Sequence, residues 1–404
     1  MMAAGRAAEL GAKVALVEKN QSLGKKLIIT GGGRCNILHA EFDTHLLVEK
    51  YGKKGKSLFS AFSQLDAQAA WDFFESRGLK LKIEAEHRAF PKSENAEDVR
   101  RVLMEYMSEH GVEILSNTQI LALESDGSVI TNIIHDSGLI VGKNYVVATG
   151  GKSHPETGST GDGFLWMSKL GHTVIESDPA LVPIAIKNRW VKRASGISLK
   201  NVRLTILQGG ARHESAIGKM LFTHVGVSGP LVLNMSKRVG ELLKDGDVAL
   251  SIDLFPKTDH AALDDLLLQQ FEKGKNKLLK NNIGDVVQPR LAQELLIQAN
   301  IDPATPLYRL TRDDRKAFVQ ILKNVPLAVK GLLGTDKAVV TGGGVTLKEI
   351  EFKTMRSKLY ENLYLAGDIL DFDRPSGGFS LQICWTTGYI AGANAAKSHV
   401  QNVR

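Results

Sequence analysis

Cysteine is nearly absent from this chain of 404 residues, occurring only as Cys35 and Cys384. Two thiols cannot build a disulfide framework, which points to a reducing cytoplasm, and they exclude a metal site made of thiolates. Long apolar runs are missing too, so no segment is suited to span a bilayer, and the expectation is a soluble protein with no membrane partner. The opening MMAAGRAAELGAKVALVEKN lacks the apolar core of a signal peptide because Arg6, Glu9 and Lys13 interrupt it. No repeat of fixed period occurs. A second glycine-rich fingerprint that would mark a separate nicotinamide domain is also lacking. With 43% hydrophobic and 24% charged residues, what remains is an ordinary globular protein of two or three domains.

The net charge of +7 and pI near 9.1 suit an acidic partner such as a phosphate-rich cofactor, RNA or a membrane surface. Lys273, Lys275, Lys277 and Lys280 cluster without interleaved aromatic residues, which reads as a solvated helix face rather than a platform for stacked bases. Nucleic acid is therefore the disfavoured partner and a small molecule the favoured one.

What is present is concentrated near the C-terminus. Residues 363–366 form a short apolar run of the kind found in a parallel sheet, and Gly367-Asp368 stops it at the carboxyl end, where open α/β sheets bind ligands. Asp368 is placed to accept hydrogen bonds from sugar or ribityl hydroxyls. Gly377 and Gly378 then allow close backbone approach, and a helix from about Phe379 aims its free N–H groups at the same place, suiting a flavin's pyrimidine edge. Taken alone, the segment also reads as an ordinary strand-turn-helix connection.

At the other end, residues 1–10 predict an alanine-rich helix closed by Gly11, and residues 14–17 a buried strand ending in Glu18. This is the second half of a β-α-β unit, in which the acidic residue binds the adenosine ribose. Gly31, Gly32 and Gly33 with Arg34 make a second close-approach loop, where Arg34 faces a pyrophosphate or a substrate anion; a plain flexible loop is the other reading. Cys35 beside that guanidinium is either a low-pKa redox thiol or a small packing residue. Helices are expected over 66–77 and 97–109, and strands over 111–115, 118–124 and 145–148, the last ending in Thr149-Gly150-Gly151. Alternating strands such as 202–207 and 248–252 then mark a β-rich insert, and the text from 259 to about 331 is helical. Sheet text returns at 338–340. The domain reading is 1–183 with 344–404 for the nucleotide-binding part, 184–257 with 332–343 for the β-rich insert, and 258–331 for the helical insert.

These residues resemble the BaiN or aminoacetone-oxidase-like family of bacterial flavoproteins, nearly end to end. The likeness rests on GKKLIITGGGRCN from Gly24, FPKSENAEDV from Phe90, ATGGKSHPETGSTGDG from Ala148, PALVPI from Pro179, LFTHVGVSGP from Leu221, TGGGVTLKEI from Thr341 and LAGDILDFDRPSGGFSLQ from Leu365. The resemblance implies an α/β architecture, a Rossmann-like FAD-binding domain interrupted by a small β-barrel and a helical subdomain. It implies FAD as cofactor and NAD(P)H as a transient electron donor. Carried over by position, Glu18 would bind the adenosine ribose and the backbone of Ile120 the adenine. Lys26, Gly32, Gly33, Arg34, Cys35 and Asn36 would line the cofactor, as would Thr149 and Gly150. Gly367 and Asp368 would face its ribityl-pyrophosphate region, and Gly378, Leu381 and Gln382 the isoalloxazine edge. No catalytic side chain is compelled, because the flavin itself carries the hydride. His154 and His224 receive no role, and Cys384 reads as core.

One departure stands out. Members of the family open with a strand and glycine-rich turn ahead of the helix that here starts at Met1, so the expectation is an N-terminally truncated chain, the alternative being a remnant without cofactor binding. The favoured function is a cytoplasmic FAD-dependent oxidoreductase acting on a small molecule; an RNA-binding or RNA-modifying protein on the same scaffold is the rival.

Overall fold

A computed structural model of the chain describes residues 1–176, 181–274, 277–333 and 342–397. Its contacts divide the chain into one unit of Met1–Pro179 with Val339–Arg404 and a second of Ala180–Ala338. The strand expected at 338–340 lies outside the described residues.

The first unit is built on two pairs of parallel strands. Ala15–Val17 pairs with Glu113–Leu115, from Ala15 opposite Glu113 to Val17 opposite Leu115. Tyr145–Val147 pairs with Leu363–Leu365, Tyr145 opposite Leu363 and Val147 opposite Leu365. Among the described strands, Ala15–Val17 and Tyr145–Val147 each have this one partner. Helix Ala96–Glu109 precedes Glu113–Leu115. Its start is fixed by Asn95, whose side chain accepts from the Glu97 N–H at 3.0 Å, and it buries Val99, Val102, Leu103 and Tyr106. The N-terminal helix Met2–Glu9 lies against the long C-terminal helix Phe379–Lys397, and small residues allow the approach. A Cβ on Gly392 would fall 2.2 Å from the Ala3 carbonyl oxygen, and one on Gly388 would meet the Met2 side chain at 3.4 Å.

A buried Ser-His-Glu chain also ties this unit together. His172 bonds Glu349 through Nδ1 (2.7 Å) and Ser357 through Nε2 (3.0 Å). Ser357 Oγ accepts from the Leu359 and Tyr360 N–H groups and is buried, so the chain knits a turn and presents no nucleophile.

The second unit contains a closed six-stranded barrel: Ile184–Ile186, Gly226–Ser228, Ala211–Phe222, Ser198–Gln208, Ala249–Asp253 and Val325–Leu332, the last pairing back to the first. Alternate residues Val202, Leu204, Ile206, Leu250 and Ile252 fill it. Helices Pro230–Leu243, His260–Glu272, Pro289–Gln298 and Arg312–Lys323 belong to the same unit.

Two expectations are corrected here. Residues 325–331, read as helical, form a barrel strand: Val325, Leu327 and Val329 are buried while Pro326, Ala328 and Lys330 are exposed. The period of two was masked by Pro326 and by the helix that ends two residues earlier, at Lys323 with cap Asn324. Gly343, read into the β-rich insert, starts a strand Gly343–Val345 that pairs antiparallel with Val174–Glu176 in the first unit. No described helix is long and apolar enough to cross a membrane.

Candidate functional site

The parallel register of Tyr145–Val147 and Leu363–Leu365 sets Thr149-Gly150 beside Gly367-Asp368 at the carboxyl edge. Both glycines take left-handed backbones, φ +71° and +76°. The C-terminal helix clamps the second one: the Gly367 N–H donates to Thr387 Oγ1 at 2.9 Å, and a Cβ there would meet Cys384 Sγ at 3.1 Å. Asp368 accepts through Oδ1 from Arg374 Nη1 at 2.9 Å; the arginine side chain is fully buried and also reaches the Leu370 carbonyl at 3.4 Å. A second ion pair, Lys54 to Asp371 at 2.7 Å, holds the same loop. Lys26 donates from Nζ to the Ser153 carbonyl at 2.7 Å. Burial pulls its pKa below the ordinary lysine value, against the attraction of Asp368.

The loop then turns into helix Phe379–Lys397 through Gly377 (φ +119°) and Gly378 (φ +99°). A Cβ on Gly378 would lie 2.4 Å from the Leu38 carbonyl carbon, so only glycine fits. The Asn36 side-chain amide fixes this contact, its oxygen accepting from the Gly378 N–H (3.0 Å) and its nitrogen donating to the Leu38 (3.2 Å) and Ala89 (3.1 Å) carbonyls. His39 stacks on Phe379 with ring centroids 4.2 Å apart and bonds the Gly377 carbonyl at 3.3 Å. Burial holds its ring below the usual imidazole pKa. Leu381 is partly buried against the neighbouring core, and Gln382 is wholly buried with Nε2 on Thr386 Oγ1 at 3.3 Å.

At the other end, Glu18 accepts through Oε1 from the Asn20 backbone (2.8 Å) and side chain (2.7 Å). Its carbonyl accepts from the Thr118 N–H at 3.0 Å, which brings Ile120, at the head of strand Ile120–Asp126, into the same neighbourhood. Lys19, one residue on, pairs with Asp162 at 2.8 Å, and Asn20 Nδ2 reaches the Thr157 carbonyl at 3.1 Å. The segments that follow Val17 and Val147 are thereby joined side by side. Gly31, Gly32 and Gly33 are all left-handed, and Gly32 and Gly33 face open space.

The sequence-predicted residues thus fall into three groups: Glu18 with Ile120; Lys26 with Thr149, Gly150, Gly367 and Asp368; and Asn36 with Gly378, Leu381 and Gln382. Two readings fail. Arg34 does not wait for an anion: it is paired with Glu84 (2.9 Å) and Glu94 (3.5 Å) and lies over the Phe90 ring at 4.1 Å. Nor is Cys35 a low-pKa thiol. It is fully buried in a left-handed backbone, φ +59°, and burial pushes its pKa up to about 12. Since the folded thiol titrates above its unfolded value, its stabilisation is whole below about pH 9. It is then lost at about 1.4 kcal/mol per pH unit as pH rises toward 12. Urea unfolding across that window will show a steeper decline in wild type than in Cys35→Ala, where Cys384, Tyr51 and Tyr106, also pushed up by burial, still contribute. Sequence reasoning missed Arg374, Lys54 and His39. Arg374 had a signal, a charged residue inside the motif that follows Gly367-Asp368.

The donors present fit a flavin dinucleotide. Three buried oxygens, Thr149 Oγ1, Ser380 Oγ and Gln382 Oε1, have no partner among the described residues. Ser380 Oγ and Gln382 Oε1 lie at the start of the C-terminal helix next to Gly378, where a ligand would lie, whereas Thr149 Oγ1 is turned toward Gly163. No group of three His, Cys, Asp or Glu residues able to hold a metal ion occurs among the described residues.

Fold and site together define a Rossmann-type oxidoreductase with a barrel unit inserted in its nucleotide-binding unit. The chain belongs to the family described as HI0933-like protein Rossmann domain, which matches residues 1–394, and it is a flavin-dependent oxidoreductase. It is 26% identical over 389 residues to the 3-dehydro-bile acid delta(4,6)-reductase of Clostridium scindens, covering 96% of this chain and 93% of that protein. It is likewise 26% identical over 409 residues to the ribosomal RNA dihydrouridine synthase of Escherichia coli, covering 98% and 96%. Among solved structures, the 3-ketosteroid delta1-dehydrogenase of Sterolibacterium denitrificans shares the fold with a TM-score of 0.54 at 14% identity, over 98% of this chain and 97% of that one.

Proposed function

We propose that the protein uses FAD to reduce a carbon–carbon double bond conjugated to a carbonyl group, with NAD(P)H as electron donor. The observation that carries this reading is the pair of relatives of equal identity, a bile acid delta(4,6)-reductase and a dihydrouridine synthase, whose names both describe a change in saturation of a carbon–carbon bond. Bound FAD, once reduced by NAD(P)H, would supply hydride to the electron-poor carbon, with a solvent proton completing the saturation at its neighbour. The chain's own residues bind and orient it. Asp368, its Oδ1 held by Arg374, offers Oδ2 to the ribityl hydroxyls. Glu18 offers Oε2 to the adenosine ribose, both Asn20 bonds being on Oε1. The first N–H groups of helix Phe379–Lys397 meet the flavin's pyrimidine edge and favour the negative charge it takes on when reduced. Lys26 stands by as a countercharge.

The test is anaerobic. NADPH or NADH should bleach the flavin bands of the purified protein, and 4-androstene-3,17-dione or a uridine-containing RNA should restore them without oxygen. Bands that return only on admitting air would remove the reductase reading and leave an oxidase.

A further inference from the structure

We propose that the second unit carries an RNA-docking surface, formed by the loop of residues 189–200 and the start of helix Pro289–Gln298, which grips the phosphodiester backbone of a structured RNA. This rests on the reductase reading above and names its substrate class.

The chain's positive charge is not spread evenly. Residues 180–338 hold 24 Lys and Arg against 15 Asp and Glu, a net +9, while the rest of the chain, with 27 against 29, stands at −2. Within the basic unit, positions 187 to 213 contain seven Lys and Arg and no carboxylate. Two of these are neutralised, Lys187 by Asp247 at 3.0 Å and Arg193 by Glu294. Arg189, Lys192 and Lys200 are exposed, and no ion pair forms at them among the described residues. The 3-10 turn Arg189–Lys192 is anchored by buried Trp190 and Val191, so its two end cations are held outward on a fixed base.

Helix Pro289–Gln298 adds to the same surface. Arg290 Nη2 donates to the Ser195 carbonyl at 3.0 Å, and Gln288 Nε2 reaches the Ser198 carbonyl at 3.4 Å, so the helix start abuts the loop. With no acidic residue in its first turn, its positive dipole end and the Arg290 charge reinforce the loop. Lys219, exposed on the facing strand, lies opposite the irregular Lys200-Asn201 step, between Met220, partner of Leu199, and Gly218, partner of Val202. Like charges facing across a strand pair are destabilising, and a bound phosphate relieves them. No Phe, Tyr or Trp side chain is exposed between positions 187 and 222, and His213 is the one exposed ring there, which favours gripping the backbone of a folded RNA over stacking single-stranded bases.

The experiment uses the flavin-loaded full chain and a fluorescein-labelled RNA stem-loop, titrated at several salt concentrations. The combined variant Arg189→Ala, Lys192→Ala, Lys200→Ala should bind at least about tenfold more weakly. Its plot of log affinity against log salt should be shallower by about 2 to 3, near 0.9 for each lost phosphate contact. Its flavin spectrum and bleaching by NADPH should be unchanged. Arg290→Gln, which keeps a donor and removes the charge, should shallow the slope by about one. Equal affinity and slope in wild type and variants would overturn the proposal, as would wild-type binding to phosphatidylserine vesicles but not to the stem-loop. RNA binding that depends on these residues without reduction of any uridine would defeat the reductase reading and leave the docking surface standing.

Discussion

Asp368→Ala protein should purify colourless. The carboxylate is held through Oδ1 by a fully buried guanidinium, and it sits at the carboxyl edge where Gly150 and Gly367 take left-handed backbones. On the proposed reading its removal takes away the ribityl anchor, and it deprives the buried Arg374 of a charged partner. Breaking a buried ion pair from one side costs about 3–5 kcal/mol, so the variant should also unfold well below the wild-type midpoint. Asp368→Asn separates the two effects. It keeps the acceptor and the shape while losing the charge, and should retain some flavin with an intermediate melting temperature. Visible absorbance gives flavin content and urea unfolding gives stability. A fully yellow Asp368→Ala protein would mean that the cofactor is anchored elsewhere.

Gly378→Ala should have the second-largest effect, for a different reason. The backbone there has φ +99°, a region closed to alanine, and the added methyl would overlap the Leu38 carbonyl at 2.4–2.5 Å. Strain of about 1–3 kcal/mol adds to a similar cost of overpacking against immovable backbone. The Asn36 bond to the Gly378 N–H breaks as the turn moves, and the start of the C-terminal helix shifts with it. Flavin retained by this variant should be harder to reduce, because the N–H groups that favour the reduced form are displaced. The readout is the midpoint potential against a reference dye, set beside Gly209→Ala, a turn glycine of the barrel unit with open space around it.

The sequence was most legible where a single period governs. Val147 and Leu365 sit in short apolar runs that end in glycine, and the structure pairs those runs in parallel. It was less legible where partners are distant. Arg34 looked available because glutamates 50 and 60 residues away, Glu84 and Glu94, leave no local mark. Cys35 beside an arginine left a redox thiol and a packing residue both open, and the structure takes the second: the guanidinium points to those glutamates and the thiol into the core. Residues 325–331 were misread because a strand begins almost where a helix stops. The basic loop of residues 189–200 escaped notice because its charges are spaced by apolar anchors, whereas the lysines after 272 stand close together.

The strand Leu363–Leu365 pairs with Tyr145–Val147 across the whole of the second unit, and the last helix packs on the first. On the ribosome, the first 179 residues therefore emerge with Tyr145–Val147 still unpaired and helix Met2–Glu9 uncovered. They wait in that condition while the barrel unit is made. Only when Gly388 and Gly392 have been made does the helix that covers Met2–Glu9 exist, so the first unit completes its fold after the second has been synthesised.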